Sequence, residues 1–521
     1  MASEPAHNPS PSSPPDLPND VSALKGMVLT LLAQIDDLNG QLYYLKRQLF
    51  GRKSEKLNPS QRLLFEGLYE QVQAQLQAQQ TPERPAPASR KKPNADHPGR
   101  NALPAELPRE EIVIEPADQE RICPQCHSEK QRIGEEVTEK LEYIPASFRV
   151  KRYVRPRYAC RQCQEHVSIA ELPAMVIDKG IAGEGLLAHI ITSKYADHLP
   201  LHRLEGMLKR HGVEIRVSTM CDWVGVCAER LSPLVQRMHQ KLLESPKIHT
   251  DDTPVPIKSK KRKGSTYNGY LWVYLDDAAN VVFDFTPTRS RHGPLEFLGD
   301  YAGYVQADAY SGYDEYFRRT EATEVGCHAH ARRKFDYALD SDPVRASMML
   351  ALWQDLYAVE QQARQEGWEA SQLHRARQEQ SRPILEKIHA NLMAWKDQVL
   401  PKSPTGKAIK YALGQWTALT RYIEDPLLDI DNNAAERTLR MVAVGRKNWL
   451  FAGSEAGAER AAVLYSLIGA CKHRGLDPFA YLRDVLARVS THPVSRIDEL
   501  LPSHWQAPAV ATDSTDDHQA A

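Results

Sequence analysis

The sequence predicts a multidomain α+β protein whose modules follow one another along the chain. Three observations predict it. A heptad seam runs near the start, two C-x-x-C pairs follow a proline-rich stretch, and acid-bearing strand-like runs then give way to long helical patterning. At 521 residues the chain has room for roughly three or four domains. An apolar content of 42% supports packed cores, and a net charge of −1 gives no support to a nucleic-acid partner, which only local charge could indicate. The chain lacks an apolar run long enough to span a membrane and a signal-peptide-like start, so a cytoplasmic protein with no membrane partner is expected.

Residues 1–20 hold six prolines and read as a disordered tail. Residues 21–58 read as a leucine-zipper coiled coil. Val21, Leu24, Val28, Leu31, Ile35, Leu38, Leu42, Leu45 and Leu49 alternate spacings of three and four, with Leu at every d position. That pattern favours a parallel dimer, so self-association is expected. Met27, Leu29 and Leu32 lie off the seam and keep open a single amphipathic helix packed on a core. Residues 59–108 are Gln-rich and then Pro-rich, the composition of a linker.

The segment 109–175 reads as a zinc-ribbon-like module. Cys123 and Cys126, with Cys160 and Cys163, form two knuckles that together offer four thiolates to a structural Zn2+. The residues between them allow a hairpin of Val137–Tyr143 and Arg149–Tyr158. Arg149, Lys151, Arg152, Arg155 and Arg157 interleave with Phe148, Tyr153 and Tyr158, a strip able to neutralise phosphates. On an alternating strand Arg149, Lys151 and Tyr153 would share a face. The remaining cysteines, Cys221, Cys227, Cys327 and Cys471, read as buried small apolar residues.

Residues 176–245 read as helical and helix-turn-helix-like. Leu201, Leu204 and Leu208 sit at helical spacing, Gly212 stops that helix, and Ser218 is the expected cap of a second helix, Thr219–Ala228. The same pattern occurs in bundles that bind no DNA.

The span 246–465 reads as an α/β domain in which residues of about 335–425 are dominated by helical patterning. Strands are expected at Lys247–Ile257, Gly269–Leu275 and Val281–Thr286, with a turn at Asp276–Asn280. Alternation puts Asp251 with His249 and Thr253, and Asp252 with Thr250, so only one of the two acids can share the face of a site. Asp308 is expected to end another strand. Asn432, Glu436 and Arg440 fall at i, i+4 and i+8 and are expected on one helix face. Two strand aspartates and a helix glutamate fit a ribonuclease-H-like fold. Such carboxylates can hold two Mg2+ (or Mn2+) ions and leave positions open for water and phosphate. Residues 466–506 read as a small helical C-terminal domain, and 507–521 as a disordered tail.

The chain resembles the transposases of the Insertion Sequence 66 family. LFGRKSEKL at 49–57, the two Cys pairs, KYADHLPLHR at 194–203, HTDDTPVP at 249–256 and QADAYSGY at 306–313 carry the resemblance. So do CHAHARRKF at 327–335, IDNNAAERTLR at 430–440, GRKNWLFAGS at 445–454 and GLDPFAYLRDVL at 475–486. The resemblance implies a DDE-type transposase whose catalytic acids are Asp251, Asp308 and Glu436, and so selects Asp251 over Asp252 by analogy; it also implies that the helical stretch of about 335–425 is an insertion between Asp308 and Glu436. It implies double-stranded DNA partners, the element's ends and a target, and accessory proteins encoded by the same element. Cys327 and His330 resemble a C-x-x-H element that helps organise such sites. Asn432, Arg440 and Lys447 are further candidate supports, and Arg332, Arg333 and Lys334 candidate DNA contacts. A DNA-binding regulator without chemistry and a nuclease that cuts without joining are the competing classes.

Overall fold

In the computed structural model the described residues are 148–158, 168–177, 180–259 and 265–507. The heptad seam, the linker and all four knuckle cysteines lie outside them. The chain divides into two units, 80–170 and the remainder.

Within the first unit, strand β1 (Arg157–Tyr158) pairs antiparallel with β2 (Ser168–Ile169). The longer strand expected over Arg149–Tyr158 is not formed. Residues 148–156 are exposed and outside regular structure, so the predicted sharing of a face does not apply. Arg155 donates to the Ala170 carbonyl at 2.9 Å, tying this segment to β2.

The second unit begins with helices α1 (Glu184–Tyr195), α2 (Leu201–Arg210) and α3 (Val217–Leu243). Leu201, Leu204 and Leu208 are buried on one face of α2, and Gly212 takes φ +76°, where a residue without Cβ carries no steric cost. Ser218 does not cap α3. The helix starts two residues earlier than expected, Arg216 stands at the cap without a side-chain bond, and Glu205 accepts from the Val217 N–H at 3.3 Å. It also runs well past Ala228, because Leu231, Leu234, Val235, Met238 and Leu242 continue the buried stripe.

A five-stranded mixed sheet follows, built from β3 (Lys247–Lys258), β4 (Thr266–Leu275), β5 (Val281–Thr286), β6 (Tyr304–Gln306) and β7 (Thr323–Val325). Helix α4 (His292–Leu298) links β5 to β6, and α5 (Asp314–Arg319) links β6 to β7. The order is β5-β4-β3-β6-β7, antiparallel through β3, β4 and β5 and parallel through β3, β6 and β7. Strand β4 pairs with β3 as far as Lys258, whereas β6 pairs with it only at Lys247–His249. From Thr250 onward β3 therefore has an edge free of any strand partner. Pro254 and Pro256 lie along that stretch, where a missing N–H breaks no ladder. Ala452 covers its far end by donating to the Pro256 carbonyl at 2.8 Å. Asp308 lies two residues beyond β6 rather than ending it.

Helix α6 (His328–Ala338) leads into a helical layer of α7 (Pro343–Glu366), α8 (Ala370–Ala376), α9 (Arg382–Trp395), α10 (Pro404–Gly414) and α11 (Trp416–Thr420). Phe335, Met349, Trp353, Leu356, Leu385, Ile388 and Ile409 give it a second core, which also takes in Val325 of β7. The chain then returns through α12 (Asn433–Trp449), α13 (Glu455–His473) and α14 (Pro478–Arg488). Helix α13 is buried nearly all round, because it packs between β5 and the helices α1 and α3. Its Ser466 hydroxyl accepts from the Phe283 N–H at 2.8 Å. Among the described residues no helix is long and apolar enough to cross a membrane.

Candidate active site

The free edge of β3 is where three distant segments meet. Alternation along the strand separates the neighbouring acids as expected. On one face, His249 Nδ1 lies 3.0 Å from Asn432 Oδ1, and Thr253 accepts from Arg446 at 2.8 Å, so this face, with Asp251 between them, looks toward α12. On the other, Thr250 Oγ1 lies 3.2 Å from the Tyr313 hydroxyl, and Asp252 Oδ1 accepts from Arg289 Nε at 2.9 Å and Nη2 at 2.7 Å. The parallel register pairs His249 with Gln306. The pairing ends there; Asp308 lies two residues beyond it, and its charge is felt at Asp251.

Helix α12 brings the glutamate. Asn432 stands at its N-terminal cap rather than on the face with Glu436 and Arg440. Its fully buried side chain donates to the Thr250 carbonyl at 2.8 Å and faces His249, which fastens the helix start to β3. Asp429, just before the helix, lies 3.0 Å from His249 Nε2 and 2.7 Å from the buried Lys247 Nζ. Glu436 Oε2 accepts from Arg333 at 3.3 Å.

Burial pushes the Asp251 carboxyl up to about 8, and the charges of Asp308, Asp252 and Glu436 add to the rise against a lowering bond from the Asp252 N–H. Three carboxylates that feel one another in a partly buried place call for a counter-cation. Glu436 Oε1 is itself buried without a hydrogen-bond partner. The Asp252 N–H holds Asp251 Oδ1 at 2.8 Å and the Tyr310 N–H holds Asp308 Oδ1 at 3.1 Å, so each aspartate is oriented through one oxygen. An all-oxygen set with an open side fits a hard divalent ion such as Mg2+. The ligand atoms of the three acids do not all lie within 4.8 Å of one another; those of His249, Asp277 and Asp429 do, but that group does not need an ion. Lys247 Nζ sits 3.1 Å from Asp277 and 2.7 Å from Asp429 and supplies the positive charge.

A cleft of about 340 Å³ opens beside Asp308, lined by Arg289, Tyr310, Ser311, His330, Lys334 and Tyr411. Arg289 lies 4.1 Å over the Tyr310 ring and 3.8 Å from Asp308, and Lys334 lies 4.4 Å over the Tyr411 ring. Arg332 is half-buried on α6, while Arg440 and Lys447 are exposed on α12, where Arg446 rather than Lys447 reaches β3. His328, the middle of the C-x-x-H run, has both ring nitrogens engaged by the Leu419 carbonyl and the Trp353 indole, so it is a core residue. Of the scattered cysteines Cys227, Cys327 and Cys471 are buried and Cys221 is exposed. Arg289, Tyr310, Tyr411 and Asp429 escaped sequence reasoning. Arg289 and Arg291 look alike in the loop after β5, and nothing local distinguishes the one that reaches the acids.

A family model described as "Transposase IS66 family" matches residues 179–460, more than half of the chain and the whole of this site. The chain belongs to the IS66 transposase family. Further IS66 matches are a zinc-finger binding domain over 120–164, a C-terminal element over 466–503, and a segment described as "Transposase C of IS166 homeodomain" over 37–112. This transposase is similar to the uncharacterized protein y4jD of Sinorhizobium fredii, 35% identical over 516 residues, covering 95% of this chain and 98% of that protein. It is also similar to y4hP of the same organism, 34% identical over 442 residues, covering 80% and 78%.

Proposed function

We propose that this transposase cleaves phosphodiester bonds at the ends of its element and joins the freed 3′-OH to target DNA. In this reading Asp251, Asp308 and Glu436 hold two divalent cations. The observation that carries it is that Asp251, on the stretch of β3 that β6 leaves free, feels the charges of Asp308, just beyond β6, and of Glu436 on α12. We read the sheet with its flanking helices as ribonuclease-H-like, which the β5-β4-β3-β6-β7 order and its strand directions support.

When bound, the two ions would activate the attacking oxygen and stabilise the leaving one. The chain's own residues orient the reactants. Asp251 and Asp308 are each fixed through Oδ1 by a backbone N–H. Arg333 holds Glu436 through Oε2 and leaves Oε1 toward the site. Arg289, anchored on Asp252 and stacked on Tyr310, offers its guanidinium at the lip of the cleft, where a phosphate would meet it. Lys334, over the Tyr411 ring, offers a second positive charge to the cleft.

The remaining assignments extend this reading. Cys123, Cys126, Cys160 and Cys163 would hold structural zinc, the basic strip from Arg149 to Arg157 would follow the DNA backbone, and the heptad seam would join copies of the chain. The decisive experiment is a cleavage assay with end-containing DNA. Asp308→Ala should lose strand cleavage in Mg2+ or Mn2+ and keep end binding in a mobility-shift assay. Retained cleavage overturns the reading.

A further inference from the structure

Beside the three acids lies a differently composed donor set. Cys327 Sγ, His330 Nδ1 and Glu436 Oε1 all lie within 4.8 Å of one another. His330 Nδ1 and Glu436 Oε1 are 3.6 Å apart, too far for a hydrogen bond, and each is buried with no hydrogen-bond partner. Two facing polar atoms that both lack a partner are costly unless something sits between them. Burial pushes the Cys327 thiol up to about 12, so a thiolate forms there only as a bound cation displaces the proton. The residue stands at the N-terminal cap of α6, where the helix dipole favours negative charge, and its sulfur accepts the Asn432 N–H at 3.2 Å and the His330 backbone N–H. Its side chain is buried, while those of His330 and Glu436 remain about a quarter exposed, at 24% and 26%, so the set is closed on one side and open on the other.

We propose that Cys327, His330 and Glu436 form a binding site for a soft divalent transition-metal ion of the Zn2+ class, and that its occupation inhibits the enzyme. One thiolate, one imidazole and one carboxylate with a fourth position open suit Zn2+ and are a poor set for Mg2+. Glu436 belongs to both sets through the same oxygen, so a zinc ion here withdraws it from the magnesium site. The site itself stands on the geometry alone; the inhibition rests on the proposed role of Glu436.

The test uses the full chain, stripped with a mild chelator and titrated with Co2+ as a spectroscopic stand-in, then with Zn2+ by metal analysis. Wild type should bind one ion per chain more than Cys327→Ser or His330→Ala, with loss of part of the thiolate-to-Co2+ charge-transfer absorption in Cys327→Ser. Serine keeps an acceptor for the Asn432 N–H, and circular dichroism checks that each variant is folded. Cys123→Ser should lose absorption from the knuckle site and retain the ion at Cys327. Asp308→Asn should retain it too while losing cleavage, which separates this site from the proposed chemistry. In wild type, Zn2+ should raise the Mg2+ concentration needed for half-maximal cleavage by about tenfold or more. Equal stoichiometry and spectra in wild type and Cys327→Ser overturn the site. A bound ion that leaves the Mg2+ requirement unchanged overturns the inhibition.

Discussion

Asp251 and Asp252 are neighbours in the chain and look toward opposite faces of one strand. Their partners differ accordingly: Asp251 meets the charges of Asp308 and Glu436, and Asp252 meets Arg289. Asp252 is not remote from the chemistry, because the arginine it anchors also approaches Asp308 at 3.8 Å. Replacing Arg289 by alanine should lower the cleavage rate by about 10²–10³, the cost typical of removing one charged donor from a developing negative charge. It should also destabilise the fold by about 1–3 kcal/mol, because Asp252, with only 5% of its side chain exposed, is left without its counter-ion. Adding Asp252→Asn should recover stability in a urea titration and leave the rate low. A double variant that regains the rate would show that Arg289 acts only on the fold. No feature of the primary structure singles this residue out. Its role depends on where the loop after β5 passes, and that is a property of the whole sheet.

At the scale of elements, the joint between β3 and α12 decides whether Glu436 reaches the aspartates. Asn432 makes that joint with a buried amide that satisfies both the Thr250 carbonyl and His249. Asn432→Ala should cost about 2–4 kcal/mol for the buried groups left unpaired, seen as a lower denaturation midpoint. It should lower kcat more than it raises KM for DNA. Nearby, Asp429 is held below the ordinary carboxylate range. Burial alone would raise it, but the His249 hydrogen bond and the Lys247 charge outweigh that. A carboxylate depressed in the folded state contributes stability that is full above its unfolded pKa and lost as pH falls through the folded one. Stability should therefore drop below about pH 4, the range where unfolded aspartate takes up its proton. Asp429→Asn should be less stable at neutral pH by about 1–3 kcal/mol, because Asp429 is half exposed and Asp277 still pairs with Lys247, and it should show a flatter acid limb. Denaturant midpoints measured from pH 3 to 8 check both. The strands were legible where apolar alternation sits between turn residues: Val281–Thr286 and the Asp276–Asn280 turn match in full. The start of α3 was not, because Ser218 satisfies a local rule while the helix obeys a contact with Glu205 on another helix. Asn432 followed helical spacing in the sequence, yet its amide is spent on β3, and spacing cannot see that.

For the molecule as a whole, the candidate site draws its acids from separate parts of the fold. Strand β3 carries one acid, the loop after β6 the second and the returning helix the third, and the layer from α7 to α11 has a core that reaches Val325 of β7. Helical periodicity in 335–425 announced that layer, though not that α6 supplies Lys334 to the cleft and Arg333 to Glu436. The family's zinc-finger and N-terminal matches lie upstream, over 120–164 and 37–112. Deleting residues 1–58 should reduce the mass measured by light scattering to that of one chain, if the heptad seam joins copies. An unchanged mass assigns self-association to another surface.

The claim on which the rest depends is that Asp251, Asp308 and Glu436 hold the same cations. Iron-directed cleavage of the protein backbone tests it most directly: Fe2+ replaces Mg2+, ascorbate and peroxide are added, and the fragments are mapped. The expected cuts cluster near residues 251, 308 and 436 together, fade with excess Mg2+, and disappear in Asp308→Asn. Cuts confined to the region of 277 and 429, or cuts at the three acids that excess Mg2+ leaves unchanged, would contradict it.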